Sequence, residues 1–185
     1  MDRLIDLVKI YDNAIEKNVC DFLIDAFDTL EDKHEKIEND RKPNFTQLNL
    51  TEISSDSDEI SEIHNYLISK VFEYKKEYYE FIDNRCFPNE HAFEQFRIKK
   101  YNNDGNDAFD CHVDVTDYSS ARRFLSFMWY LNDVEIGGET VFKDVTLKPE
   151  AGKLLVFPPL WMFPHYARPP VSNSKYIVHT YLHYK

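Results

Sequence analysis

The sequence lacks the features that mark membrane, secreted and nucleic-acid-binding proteins. No apolar run approaches the roughly 20 residues that a transmembrane helix needs. The first residues do not combine a basic segment with a following apolar one, so no signal peptide is recognisable. Lys and Arg number 22 against 33 Asp and Glu, and the net charge of −11 argues against non-specific binding to nucleic acid. We therefore expect a cytoplasmic protein with no membrane or nucleic-acid partner.

Cysteine and glycine are also scarce. The three cysteines, Cys20, Cys86 and Cys111, have neither CxxC nor zinc-type spacing. Their odd number fits reduced thiols in the cytosol better than a disulfide framework. All four glycines and six of the eight prolines follow residue 88, so turn-forming residues are concentrated in the second half of the chain. The sequence therefore divides into two regions of different character.

The first region, residues 1–90, is predicted to be a helical support. Apolar residues recur at helical spacing over Ile15–Leu30, and a second amphipathic helix is expected to begin at Ser57. Two acidic residues follow Ser57, where the helix dipole favours them. Two short strands are also expected in this region, at Leu4–Tyr11 and Phe45–Leu50. Residues 31–45 are expected to form a charged loop.

The second region, residues 91–185, is predicted to be a β core. Short runs rich in aromatic and β-branched residues predict strands. They are Phe93–Tyr101, Arg122–Leu131, Thr140–Val145, Lys153–Phe157 and Tyr176–Leu182. Asn132–Gly138 and Lys148–Gly152 are expected to be hairpin connections. The predicted fold class is α+β, mainly β: one domain over residues 1–185, in which two or three helices support an antiparallel sandwich or barrel.

One short stretch, Cys111-His112-Val113-Asp114-Val115, suggests chemistry. It is predicted to be a strand, and strands send alternate side chains to opposite faces, so His112 and Asp114 share a face and Cys111 does not. An imidazole beside a carboxylate is two thirds of the 2-His-1-carboxylate set that holds non-haem Fe(II) and leaves positions open for other ligands. His-x-Asp alone is a weak signal, because chance produces it often.

A second cluster near the C-terminus strengthens that signal. His165 lies in a predicted strand, Phe163–Ala167, and is followed by a predicted turn over Arg168–Asn173. Lys175 is expected to start the next strand, as the neighbour of the His165 strand. Its face is shared with Ile177, His179 and Tyr181. A lysine at this place can supply the fixed cation that a 2-oxoacid with a distal carboxylate requires.

Together these motifs resemble a known family. The order is His112-x-Asp114, Gly137-Gly138-Glu139-Thr140-x-Phe142, Phe157-Pro158, His165, Pro169 and Lys175. It resembles the Fe(II)/2-oxoglutarate dioxygenases of the prolyl 4-hydroxylase type, over roughly residues 93–185. The resemblance implies a double-stranded β-helix, or jelly roll, with metal ligands at His112, Asp114 and His165. It also implies that Lys175 pairs with the far carboxylate of 2-oxoglutarate. The implied cofactors are Fe(II), 2-oxoglutarate and O2, with ascorbate as a further candidate.

Other residues match the family more loosely. Tyr101, Tyr130 and His179 are candidates for contact with the cosubstrate, and the alternative for each is a satisfied side chain of the core. Trp161, Tyr166 and Arg168 are candidates for a substrate groove, and the alternatives are packing aromatics and a surface cation. The sequence departs from the family pattern in two places. Asn173 and Ser174 replace the commoner glycine before Lys175, and Tyr181 stands where tryptophan is usual.

The implied activity is hydroxylation of a substrate, with release of succinate and CO2. The resemblance alone suggests peptidyl proline, hence a peptide or protein partner, and the acidic balance of the chain suits a peptide with some positive charge. The alternatives are a hydroxylase of a free amino acid or other small metabolite, and a non-catalytic jelly-roll binding module. The intact Asp114 argues against the halogenases of the same superfamily.

Overall fold

The computed structural model describes residues 3–38 and 43–185 of the chain. Both long helices predicted from the sequence are present: α1 spans Lys17–Thr29 and α2 spans Asp58–Ile82. Ser57 caps α2, because its hydroxyl accepts a hydrogen bond from the backbone three residues further on. Single turns of 3-10 helix lie at Leu4–Leu7, Glu31–Lys33 and Asn84–Cys86. Among the described residues, neither α-helix combines the length and the apolar character needed to cross a bilayer.

The described residues also form two antiparallel sheets. In chain order their strands are β1 (Lys9–Tyr11), β2 (Glu35–Ile37), β3 (Phe45–Asn49), β4 (His91–Phe93), β5 (Arg97–Tyr101), β6 (Phe109–His112), β7 (Arg123–Tyr130), β8 (Thr140–Phe142), β9 (Thr146–Leu147), β10 (Leu154–Phe157), β11 (His165–Ala167) and β12 (Lys175–Tyr184). The large sheet has the order β1-β10-β7-β12-β5-β3-β2, with β4 also paired to β12, and the small sheet has the order β6-β11-β8-β9. Two facing antiparallel sheets give the mainly β, jelly-roll fold that was predicted.

The region expected to be helical support also supplies strands β1, β2 and β3 to the large sheet. The predicted strand Leu4–Tyr11 is wrong in its first half, where a 3-10 turn held by the Asp6 carboxylate on the Arg3 amide precedes β1. The predicted loop over 31–45 contains β2, whose exposed charged residues are tolerated because it is an edge strand. Residues 39–42 of that predicted loop lie outside the described part of the chain.

The two predicted hairpins are wrong. The segment Asn132–Gly138 joins β7 of the large sheet to β8 of the small sheet, and Lys148–Gly152 returns from β9 to β10. Turn-forming residues show where a chain changes direction, but they do not specify which sheet receives the next strand. The predicted strand Phe93–Tyr101 is likewise two strands, because β4 pairs with the end of β12 and β5 pairs with its beginning.

Alternate side chains of the large sheet point to opposite faces, so they belong to two separate hydrophobic cores. Tyr176 and Val178 of β12 pack with α1 and α2 in a cluster on the outer face of this sheet. Ile177 belongs instead to the cluster between the two sheets, with Tyr130 of β7 and Phe142 of β8. The side chains that lie between the sheets therefore come from both, and a site built there receives residues that are far apart in sequence.

Candidate metal centre

His112 and Asp114 converge, although they do not share a strand as predicted. β6 ends at His112 because its partner β11 begins at His165, which pairs with His112, and Asp114 follows in a bend. The side chains still meet: His112 Nε2 lies 3.4 Å from Asp114 Oδ1. The register also brings the two imidazole rings together, with centroids 4.3 Å apart. The candidate ligand atoms of His112, Asp114 and His165 all lie within 4.8 Å of one another.

Backbone carbonyls orient both imidazoles. Nδ1 of His112 lies 2.7 Å from the carbonyl oxygen of Asp110, and Nδ1 of His165 lies 3.1 Å from that of Phe163. Because a carbonyl oxygen only accepts, each Nδ1 carries the proton and donates it. Each Nε2 is then left with a lone pair, which is the form that ligates a metal.

The carboxylate of Asp114 also lacks a partner that a cation would supply. Its Oδ2 is buried and accepts no hydrogen bond from the described residues. Burial acts to raise the pKa of Asp114, but the contact with His112 and the nearby His165 and His179, whose protonated forms carry positive charge, outweigh it and hold this pKa well below its usual range. Burial lowers the pKa of His165, which favours the neutral ligand form. An ionised carboxylate and two neutral imidazoles fit a divalent iron ion.

Lys175 faces these residues from the opposite sheet. It was predicted to lie on the strand next to that of His165, and this is wrong: β11 belongs to the small sheet and β12 to the large one. A ten-residue separation cannot distinguish a hydrogen-bonded neighbour from a strand across the interior. The lysine is only 2% exposed, donates to the carbonyl oxygen of Gly138 at 3.0 Å and lies over the Tyr101 ring, 4.5 Å from its centroid.

The environment of Lys175 is suited to an anion. Burial lowers its pKa to about 7, and the negative charge of Glu139 only partly opposes this effect. Lys175 forms no ion pair with a carboxylate in the described part of the chain, and a buried unpaired cation is costly. A carboxylate ligand would therefore find a donor whose charge is not yet neutralised.

The triad and Lys175 line one inner cavity between the sheets. Of the predicted cosubstrate contacts, Tyr101 and His179 line it as well, whereas Tyr130 does not. Tyr130 lies one layer behind and donates its hydroxyl proton to the hydroxyl oxygen of Thr140, at 2.7 Å. The other lining residues are Lys99, Phe109, Met128, Thr140, Phe157, Ala167, Ile177 and Tyr181.

The three residues predicted for a substrate groove do not line this cavity. Trp161 is 76% exposed, on the surface segment before β11. Tyr166 stands between His165 and Ala167, which both line the cavity, so strand alternation directs it to the other face. Arg168 is exposed, with its nearest carboxylate oxygen, that of Glu139, at 3.9 Å.

A wider outer cavity of about 410 Å³ adjoins the inner one. The two share six residues: Lys99, Phe109, His112, Asp114, His179 and Tyr181. Sequence reasoning missed Lys99, although a signal existed. Lys99 precedes Tyr101 by two residues in β5, so alternation places both side chains on the same face.

Arg123 of β7 holds the bend that carries Asp114. Its Nη1 donates to the carbonyl oxygen of Asp114 at 2.8 Å, while Nε and Nη2 donate to the two carboxylate oxygens of Glu94, at 2.6 and 3.0 Å. The guanidinium also lies over the Tyr181 ring, 4.2 Å from its centroid. A side chain from the opposite sheet therefore replaces the ladder hydrogen bonds that Asp114 lacks.

Comparison with known proteins supports this assignment. Residues 96–183 match the model of the 2OG-Fe(II) oxygenase superfamily, and this match includes the triad and Lys175. No curated protein sequence shows significant similarity to the chain.

Several solved structures share the fold. The viral collagen prolyl hydroxylase of Paramecium bursaria Chlorella virus-1, in its 2OG complex, has a TM-score of 0.68 at 21% identity, covering 95% of each chain. A Trichoplax adhaerens prolyl hydroxylase in complex with a hypoxia inducible factor peptide fragment has a TM-score of 0.74 at 15% identity, covering 96% of this chain and 83% of its own. A Pseudomonas putida prolyl-4-hydroxylase has a TM-score of 0.71 at 16% identity, covering 98% and 97%.

At these identities the structural neighbours establish the fold, and the family match adds the chemistry. A jelly roll that places two oriented imidazoles, a buried carboxylate and a buried lysine around one cavity suits the cofactors of that superfamily. The chain therefore contains a 2OG-Fe(II) oxygenase domain over residues 96–183 and is a 2-oxoglutarate-dependent dioxygenase whose cofactors are Fe(II), 2-oxoglutarate and O2.

Proposed function

We propose that this protein hydroxylates peptidyl proline, with conversion of 2-oxoglutarate to succinate and CO2. Two features support a peptide substrate: solved prolyl hydroxylases share the fold, one of them bound to a peptide fragment, and the outer cavity opens beside the candidate metal ligands. An extended proline-containing segment enters such an open cavity at low entropic cost, because proline restricts the free chain.

In this proposal His112, Asp114 and His165 hold Fe(II), and Lys175 binds the distal carboxylate of 2-oxoglutarate. The bound iron supplies the activation of O2 that side chains cannot perform. The observation that carries the proposal is the placement of two groups in one cavity: Asp114 Oδ2, which accepts no hydrogen bond from the described residues, and the Lys175 ammonium, which has no carboxylate partner among them. Each group lacks the partner that one of the two cofactors would provide.

Other side chains of the inner and outer cavities have supporting roles. Phe157, Met128 and Ile177 present apolar surface and limit the access of water to the space between the ligands and Lys175. The Tyr101 ring lies beside the Lys175 ammonium and stabilises its charged form through a cation–π contact. Arg123 keeps the Asp114 carbonyl in place, so that the carboxylate points towards the two imidazoles.

The test uses anaerobically purified protein given Fe(II), 2-oxoglutarate and O2, with and without a pool of proline-rich peptides. We expect succinate formation that the peptides stimulate, together with one added oxygen that mass spectrometry localises to proline. Stimulation by a free amino acid and by no peptide would replace this proposal with a small-molecule hydroxylase. Absence of succinate under every condition would favour a non-catalytic binding module.

A further inference from the structure

Lys99 occupies the junction of the inner and outer cavities and lines both. It projects from β5 on the same face as Tyr101, and its strand partner in β12 is Ile177. The large sheet therefore presents two lysines to the site: Lys175 at the closed end and Lys99 where the substrate cavity begins. The proposed function uses only the first of them.

The contacts of Lys99 leave its charge available. Its Nζ donates to Nδ1 of His179 at 3.4 Å and lies 5.0 Å from the centroid of the Phe45 ring. Nε2 of His179 in turn contacts the hydroxyl of Ser126 at 2.9 Å, so the imidazole is held on its far side. Within the described residues Lys99 forms no ion pair with a carboxylate. Burial lowers its pKa to about 8, which leaves it mainly protonated at pH 7.

The other charges at this junction do not neutralise Lys99. The described acidic residues that line the outer cavity are Glu94 and Asp114. Glu94 is held by Arg123 through two hydrogen bonds, and Asp114 belongs to the candidate metal centre. Arg97 adds a further cation and donates to the neutral amide oxygen of Gln95. The outer cavity beside Lys99 is therefore locally cationic, although the net charge of the chain is −11.

We infer that Lys99, supported by His179, forms a subsite for a carboxylate group of the substrate, next to the carbon that is hydroxylated. This inference rests on the proposed function and deepens it by naming the substrate class. One ammonium beside a neutral imidazole suits a singly charged carboxylate, and the bond is charge-assisted in a partly desolvated place. The carboxylate has two sources: an acidic residue beside the proline of a peptide, or the α-carboxylate of a free amino acid.

The test measures binding and turnover with matched probes. Proline peptides with Glu beside the proline are compared with the same peptides carrying Gln, and free proline is compared with prolinamide. Binding is titrated anaerobically to the protein loaded with Fe(II) and 2-oxoglutarate, so that affinity is read without turnover. We expect the carboxylate form to bind about tenfold more tightly, a ratio typical of a charge-assisted hydrogen bond, with the effect on KM rather than on kcat.

Three variants assign the preference to the lysine. Lys99→Gln should abolish the preference for the carboxylate probe, and Lys99→Arg should restore most of it. Lys99→Glu should reverse it in favour of peptides that carry Lys at the same position. The matched control is Lys100→Gln, because Lys100 points to the other face of β5 and pairs with Asp28. This control should keep the wild-type preference.

The outcomes separate the two proposals. A preference shown by the peptide pair assigns an acidic residue as the source. A preference shown only by the free proline pair assigns an α-carboxylate and replaces the peptide of the proposed function with a free amino acid. Equal affinity within both pairs, no binding by any probe, or a preference that survives in Lys99→Gln would overturn the subsite. Carboxylate-dependent binding without hydroxylation of any probe would overturn the proposed function and leave the subsite standing.

Discussion

At the scale of single residues, the site depends on groups that are costly to bury alone. Lys175 is almost fully enclosed, and one carboxylate oxygen of Asp114 is buried; among the described residues the first has no carboxylate partner and the second no hydrogen-bond donor. Such groups destabilise a fold unless a ligand compensates for them. Their occurrence in one cavity is the physical sign that the cavity is built for charged ligands.

The first prediction concerns 2-oxoglutarate binding. Loss of one partner of a buried, hydrogen-bonded charge pair typically costs about 2–5 kcal/mol. Lys175→Ala should therefore raise the apparent KM for 2-oxoglutarate by orders of magnitude, while the affinity for Fe(II) changes little. Succinate formation measured against 2-oxoglutarate concentration checks the first part, and Fe(II) titration checks the second. An unaltered KM would remove Lys175 from the site.

The second prediction concerns the dependence of stability on pH. The pKa of Lys175 is about 7 in the folded protein and near its ordinary value of 10.5 in the unfolded chain. Between these values the unfolded state binds more protons, so the free energy of unfolding rises with pH by up to about 1.4 kcal/mol per unit. Lys175→Met lacks this contribution. Because this variant buries no charge, we expect it to be more stable than the wild type at low pH. The difference between their free energies of unfolding should be constant below pH 7 and shrink from pH 7 to pH 9.

Urea unfolding of both proteins across this pH range, without iron or 2-oxoglutarate, measures the difference directly. Because the two proteins share all other titrating groups, their contributions cancel. Parallel stability curves from pH 6 to pH 9 would show that Lys175 keeps an ordinary pKa when folded.

At the scale of secondary-structure elements, strand alternation allows β12 to contribute to both the core and the site. Lys175, Ile177, His179 and Tyr181 line the inner cavity, whereas the intervening Tyr176 and Val178 pack against the helices. The segment after β6 is held by a side chain and not by strand pairing. It leaves the sheet at His112, and a side chain of β7 holds it in place of a neighbouring strand.

The third prediction follows from that contact. Arg123→Ala removes the donor to the Asp114 carbonyl, so the carboxylate should be less well placed for a metal. Loss of such a supporting hydrogen bond typically lowers metal affinity by about 10- to 100-fold. Fe(II) titration checks this prediction, with Arg122→Ala as a control because Arg122 is its exposed neighbour. Equal affinity in the two variants would assign Arg123 to another role.

At the scale of the whole molecule, local patterns predicted elements better than they predicted assembly. Helical spacing located α1 and α2, and the order of motifs around His112, His165 and Lys175 indicated the family. Which sheet each strand joins depends on packing across the interior, which no local pattern encodes. For that reason the hairpins were misassigned and Lys175 was placed beside β11 instead of opposite it.

The residues around the candidate metal centre also show how little local sequence patterns say about assembly. Trp161 and Tyr166 are close to His165 in sequence, yet exposure and alternation exclude both from the cavity lining. Lys99 is 66 residues from His165 in sequence, yet it lines the same cavity. Proximity in a folded sheet follows from register and face, and sequence distance is a poor substitute for either.

The measurement that tests the central claim most directly is Fe(II)-dependent succinate formation by the wild type and by His112→Ala and His165→Ala. His183→Ala, which changes a histidine near the chain end outside both cavities, is the control. We predict succinate from the wild type and the control, and none from either ligand variant, with all four proteins folded by circular dichroism. Near wild-type succinate from His112→Ala or His165→Ala would contradict the assignment of these residues as the iron ligands.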